Sequence, residues 1–189
     1  MNVIEKNVSN TYVIKRSKFI CFLYYVENVD EINSILERFR QEYKDATHVC
    51  YSYILTNKEK AYDDGEPSGT AGLPILEILK KKDLVNVLCV VVRYFGGIKL
   101  GAGGLIRAYS NSVVQTLALT KIIPYKKYVI VYLETDYVNK KLLELICNDY
   151  EVINRVYNEK IIYTLKLEKD NLEKIKNRIK NTMIKLEIK

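Results

Sequence analysis

Leu84-Val85-Asn86-Val87-Leu88-Cys89-Val90-Val91-Val92-Arg93-Tyr94-Phe95-Gly96-Gly97-Ile98-Lys99-Leu100-Gly101-Ala102-Gly103-Gly104 passes from an almost unbroken apolar run into a basic, glycine-rich one. Val85 to Val92 is far too short to span a bilayer, and it fits a central strand buried on both faces. Glycines then allow φ > 0 and close backbone approach. Leu105 to Leu119 reads as a helix, with Leu105, Ala108, Val113 and Leu117 among its inward positions. A strand, a glycine loop and a helix in that order leave uncovered amides at a helix N-terminus, which favours an anion. Arg93, Lys99 and Arg107 surround the loop. With Gly96, Gly97, Gly101, Gly103 and Gly104 they form the candidate anion- or nucleic-acid-binding set. The spacing is not a Walker loop, since no Gly-Lys-Ser/Thr follows. Nor is it the dinucleotide fingerprint, because Ile106 stands in the place of the third glycine. Phosphate of a nucleic acid therefore fits better than a mononucleotide.

All eight glycines lie between Gly65 and Gly104, so a second loop shares this enrichment: Asp63-Asp64-Gly65-Glu66-Pro67-Ser68-Gly69-Thr70-Ala71-Gly72. It is acidic where the other is basic. Asp64 and Glu66 are candidates for acid or base work, and His48, the one histidine, joins them as a third polar candidate. A His48–Cys50 dyad is disfavoured, because residues two apart on a strand sit roughly 6–7 Å from each other. Ser17, Lys18, Ser68 and Thr70 complete a further polar set, with Ser68 and Thr70 equally able to serve as turn and cap groups. The acidic spacing does not match an EF-hand loop, and no CxxC accompanies the single histidine, so neither a metal nor a cofactor is expected. Because one helix and one buried strand separate the loops, they should face each other at a common edge of the sheet.

The 189 residues, 48% hydrophobic and 28% charged, suit a soluble globular chain of one large or two small domains. Four cysteines, Cys21, Cys50, Cys89 and Cys147, sit widely spaced in apolar runs and read as reduced core residues. Met1 to Ser9 has no apolar signal-like core, so a cytoplasmic protein without membrane contact is expected. The net charge of +7 is unevenly spread: no acidic residue occurs from Leu84 to Leu133. One sign of charge over such a stretch attracts anionic partners.

Outside the two loops the pattern is that of scaffold. Thr11–Ile14 and Phe19–Val26 read as strands about a polar turn at Lys15–Lys18, and a helix follows with Asp30 as its cap. His48–Leu55 reads as a strand, and a helix spans about Ala71 to Lys82 with Pro74 in its first turn. Pro124 among lysines marks a boundary between domains 1–124 and 125–189. The second domain reads as strand, helix, two strands, helix and strand, the ferredoxin-like βαββαβ plan, and carries no catalytic constellation.

Asp64–Gly72 and Val92–Leu105, together with Ser17-Lys18-Phe19 and Ala46-Thr47-His48, resemble the signature of the IMPACT/YigZ family in its bacterial two-domain form. The resemblance implies a two-domain α+β fold. Its N-terminal α/β sandwich would be similar to the second domain of a ribosomal small-subunit protein, followed by a ferredoxin-like domain. The pair is similar to two consecutive domains of translation elongation factor G that touch ribosome and tRNA. Eukaryotic relatives restrain a starvation-responsive kinase acting on translation initiation, but they attach a different extra domain, so that partner does not carry over. The first expectation is a non-enzymatic regulator of translation that binds RNA or the ribosome through the basic loop. A hydrolase using His48, Asp64 and Glu66 is a second. A protein-binding adaptor working through the ferredoxin-like sheet edge is a third.

Overall fold

The computed structural model describes residues 1–188 and divides into two compact units, Met1–Tyr125 and Lys126–Lys189. The first is built on a five-stranded antiparallel sheet in the order β2-β3-β6-β4-β5, comprising β2 (Val8–Ile14), β3 (Ser17–Tyr25), β4 (His48–Ile54), β5 (Glu59–Tyr62) and β6 (Val87–Tyr94). The apolar run is the middle strand, as its composition predicts. Every residue from Val87 to Val92 is fully buried. Leu88, Val90 and Val92 face α1 (Val29–Glu42) through Ile32, Leu36 and Phe39. Val87, Cys89 and Val91 face α2 (Gly72–Lys81) and α3 (Ala102–Leu117) through Ile75, Leu79, Leu105 and Val113. The period-2 alternation of a strand thus feeds two separate cores, giving a three-layer α/β/α sandwich. Fully burying each valine or leucine contributes roughly 1.5–3 kcal/mol, so this strand anchors both layers.

Local chemistry sets the boundaries. Lys15 and Arg16 both have positive φ, 45° and 63°, and form a two-residue hairpin between β2 and β3. Such turns suit the strand twist but favour glycine or asparagine, so the sequence carries little signal for one here. The α1 cap is Asn28, whose side chain accepts from the Glu31 amide; Asp30 lies inside the first turn instead. The third helix begins three residues earlier than its apolar periodicity suggests, with Gly103 and Gly104 in its first turn. Two short strands, β1 (Asn2–Ile4) and β7 (Ile122–Pro124), pair with each other and escape prediction because three residues carry no period.

The second unit has the expected βαββαβ order: β8 (Tyr128–Thr135), α4 (Lys140–Cys147), β9 (Glu151–Tyr157), β10 (Ile161–Glu168), α5 (Leu172–Ile179) and β11 (Lys185–Ile188). Its antiparallel sheet runs β11-β8-β10-β9, the ferredoxin-like arrangement. Val131, Leu133, Leu143, Ile161, Leu165 and Ile175 are fully buried in one core between the sheet and the two helices. Among the described residues no helix is long and apolar enough to cross a membrane.

Candidate functional site

The acidic loop meets Arg93, where the basic stretch begins, at the end of the inner strands β4 and β6 rather than at an edge of the first sheet. His48 on β4 is the cross-strand partner of Arg93 on β6, and the acidic loop closes over both. Each acidic side chain there has a defined partner. The Asp63 carboxylate accepts from the amides of Gly69, Ala71 and Gly72 at 2.9, 3.0 and 2.8 Å, holding the N-terminus of α2 in place of a side-chain cap at Ala71. Asp64 Oδ2 accepts from the Val49 amide at 2.6 Å, and the Asp64 carbonyl lies 2.7 Å from His48 Nδ1. Asp64 and Gly65 are both left-handed, with φ of 47° and 81°, which turns the chain back toward β4.

Glu66 points inward, its side chain only 2% exposed. Its Oε1 accepts from Arg93 Nη1 at 2.5 Å and from the Tyr109 hydroxyl at 2.7 Å. The Arg93 guanidinium also lies over the Phe19 and Phe95 rings, at 5.4 and 5.7 Å, and its Nε has no hydrogen-bond partner. Arg93 therefore cannot act as the free loop cation that the sequence suggests. It is buried, and its charge is already answered by Glu66. Gly65, Pro67 and Ser68 of the acidic loop are exposed, but the loop turns Glu66 inward as the counter-ion of this core arginine.

Tyr109 is fully buried, edge-on to Phe19 at 5.1 Å, so it is not a surface for stacking bases. Burial raises its hydroxyl far above the ordinary phenol range, and the nearby Cys50 and Glu66 add to this. It stays protonated and donates to Glu66. Cys50 Sγ lies 3.3 Å from that hydroxyl and donates to the Asp63 carbonyl at 3.0 Å. Its thiol is also raised well above the usual range, first by burial, with a partial opposing effect from the Tyr109 bond. The sequence held a signal for Tyr109: it lies four residues after Leu105, on the helix's inward face. Its hydroxyl's destination, 43 residues back at Glu66, left no such trace.

The basic corner is built differently. Gly96 is pressed against the β2–β3 turn, where an added Cβ would come within 2.0 Å of the Arg16 carbonyl carbon. Its amide donates to Ser17 Oγ at 3.1 Å, which makes the buried Ser17 a structural group. Thr70 is buried too, its hydroxyl bonded to the Pro67 carbonyl, while Ser68 and Lys18 are exposed. Beyond Gly96 the loop opens. Gly97 and Gly101 have φ of 83° and 70°, with nothing within 4 Å of a would-be Cβ at either. Gly101 is the N-cap of α3, no side chain caps the helix's first amides, and Lys99 and Arg107 are exposed beside it. Among the described residues no cluster of three or more histidine, cysteine or acidic side chains could hold a metal ion.

A family model described as the Impact N-terminal domain matches residues 15–117. The IMPACT family member YvyE of Bacillus subtilis is 46% identical over 128 residues, covering 66% of this chain and 59% of the relative. An IMPACT family member of Haemophilus influenzae is 37% identical over 144 residues, 74% of this chain and 70% of its own. The match to the B. subtilis protein thus spans less than two thirds of that relative's length. A solved structure described as the crystal structure of an hypothetical protein superimposes with a TM-score of 0.70 at 28% identity. It covers 98% of this chain and 95% of that one.

Proposed function

Starting from a chain that belongs to the IMPACT family, we propose a translation-associated regulator that contacts RNA or the ribosome through the basic glycine corner of its first unit. The observation that carries this reading is the open, uncapped start of α3. Gly97 and Gly101 present backbone unobstructed by side chains, the helix dipole points its positive end outward, and Lys99 and Arg107 stand beside it. The hairpin turn packed on Gly96 brings Lys15, Arg16 and Lys18 to the same edge, all exposed. These cations compensate for Arg93, which Glu66 neutralises. Backbone phosphate is the ligand such a corner suits, since amides and dispersed cations recognise anionic oxygens without reading bases. Link to translation comes from the family the paired motifs resemble.

The test is binding of a single-stranded RNA oligonucleotide across a salt series. With about four phosphates neutralised, log K is expected to fall with a slope of roughly −3 against log salt. Lys99→Glu with Arg107→Glu should weaken binding at least tenfold at low salt. Binding that ignores salt, or ignores this double substitution, would sink the reading. The hydrolase alternative is weakened by geometry, because the Asp64 carboxylate is held on a backbone amide and Glu66 Oε1 on two donors.

A further inference from the structure

Phe95 is 46% exposed, yet it is firmly attached. Its amide donates to Thr47 Oγ1 at 2.9 Å, and the next amide, that of Gly96, donates to Ser17 Oγ. Gly96 is itself pressed on the Arg16 backbone. The Arg93 guanidinium, two residues back, lies over one face of the Phe95 ring at 5.7 Å, within the range of a cation–π contact. That guanidinium is fixed in turn by Glu66 and by the ring of Phe19, its cross-strand neighbour, at 5.4 Å. Phe19, Arg93 and Phe95 thus form a series of contacts that starts in the core and ends in solvent. The last ring offers its remaining face and edges. A single exposed apolar residue needs no explanation in itself. A ring already held from behind is different, because a flat partner laid on it takes away little further side-chain freedom.

The charge around this ring selects among flat partners. Lys18 is the cross-strand partner of Tyr94, and the Arg16 backbone touches Gly96, so two exposed cations border Phe95 on the hairpin side. Lys99 follows four residues on, within about 14 Å by chain reach. Of the acids nearby, Glu66 is paired with Arg93, and Asp63 and Asp64 are turned to backbone amides. Asp45 is bonded to the hydroxyl of Tyr94, which packs on the α1 face of the sheet, away from Phe95. An unpaired nucleotide uses both parts of such a surface: its base covers the ring while its phosphates meet the cations. Bases inside a duplex keep their faces stacked on one another, so they cannot reach it.

Resting on the phosphate-binding reading above, we propose that Phe95 is the base-stacking platform of the basic corner, and that its partner is single-stranded RNA with an unpaired base over that ring. The contact tolerates any sequence, because every base has a flat π face. The experiment measures the affinity of the full chain for three probes of equal length: a single-stranded RNA, the same RNA as a duplex, and an abasic strand that keeps the phosphates and lacks the bases. The native protein should bind the intact single strand roughly five- to a hundredfold more tightly than the abasic one. Phe95→Ala should remove this preference and leave abasic affinity, duplex affinity and the salt slope unchanged, since no phosphate contact is lost. Phe95→Tyr, which keeps a flat ring, should retain the preference, and Phe95→Leu, apolar but not flat, should lose most of it. A Phe95 that merely supports Arg93 would give equal losses for intact and abasic strands in Phe95→Ala, and that result overturns the proposal. Equal native affinity for the two strands, or a duplex that loses as much as the single strand in Phe95→Ala, overturns it too. In each of these cases phosphate binding still stands, provided affinity falls with salt and with Lys99→Glu plus Arg107→Glu. Absence of salt-dependent binding to every probe is the separate result that removes both readings together.

Discussion

Glu66→Gln is the substitution to which this molecule should be most sensitive. It would leave the Arg93 guanidinium buried, with Nε already unpaired and its counter-ion gone. Breaking a buried pair from one side costs about 3–5 kcal/mol, whereas replacing both partners by apolar groups is often neutral. Urea unfolding should therefore show a large loss for Glu66→Gln, with much of it recovered when Arg93→Met and Glu66→Leu are combined. The thiols give a second residue-level test. All four cysteines are buried, and burial raises Cys50, Cys89 and Cys147 above the usual thiol range, Cys147 to about 11. A thiol-reactive dye at pH 8 should label none rapidly in the native protein and all four in denaturant. Tyr25 and Tyr163 are each raised to about 12, chiefly by burial and then by their side-chain hydrogen bonds. A raised phenol contributes stability below its unfolded value of about 10. That contribution is lost as pH climbs through 12. Alkaline unfolding should steepen between these limits, and Tyr25→Phe should flatten part of the slope.

At the scale of elements, Gly96 and Asp63 fix how the loops attach to the sheet. Gly96→Ala forces a Cβ into the Arg16 backbone, which has no flexible side chain to yield, and should destabilise by about 1–3 kcal/mol in thermal melts. Asp63→Ala releases three amides at the start of α2 and should cost about 1–2 kcal/mol. The central strand and the helices were legible in the sequence because periodicity and glycine placement are local signals. The pairing of Arg93 with Glu66 was not. It depends on the His48–Arg93 register and on a left-handed turn at Asp64, and neither leaves a pattern in composition. The four-residue β5 carries no sequence signal for a similar reason: Glu59-Lys60-Ala61-Tyr62 alternates no apolar face.

Across the whole molecule, each unit rests on its own core. In the second, Leu133 is fully buried, and Leu133→Ala should cost about 2–5 kcal/mol, read as faster hydrogen exchange at β10 amides. In the first, the sheet order has a consequence for synthesis. The strands on either side of β6 both precede it in the chain. As the polypeptide leaves the ribosome, the β2–β3 and β4–β5 hairpins emerge as two half-sheets that share no hydrogen bond. Each presents a naked edge until residues 87–94 arrive to fill the seam. During that interval the nascent chain exposes the kind of unpaired strand that chaperones shield and that aggregates recruit. The last central piece to be made is the one that closes the sheet.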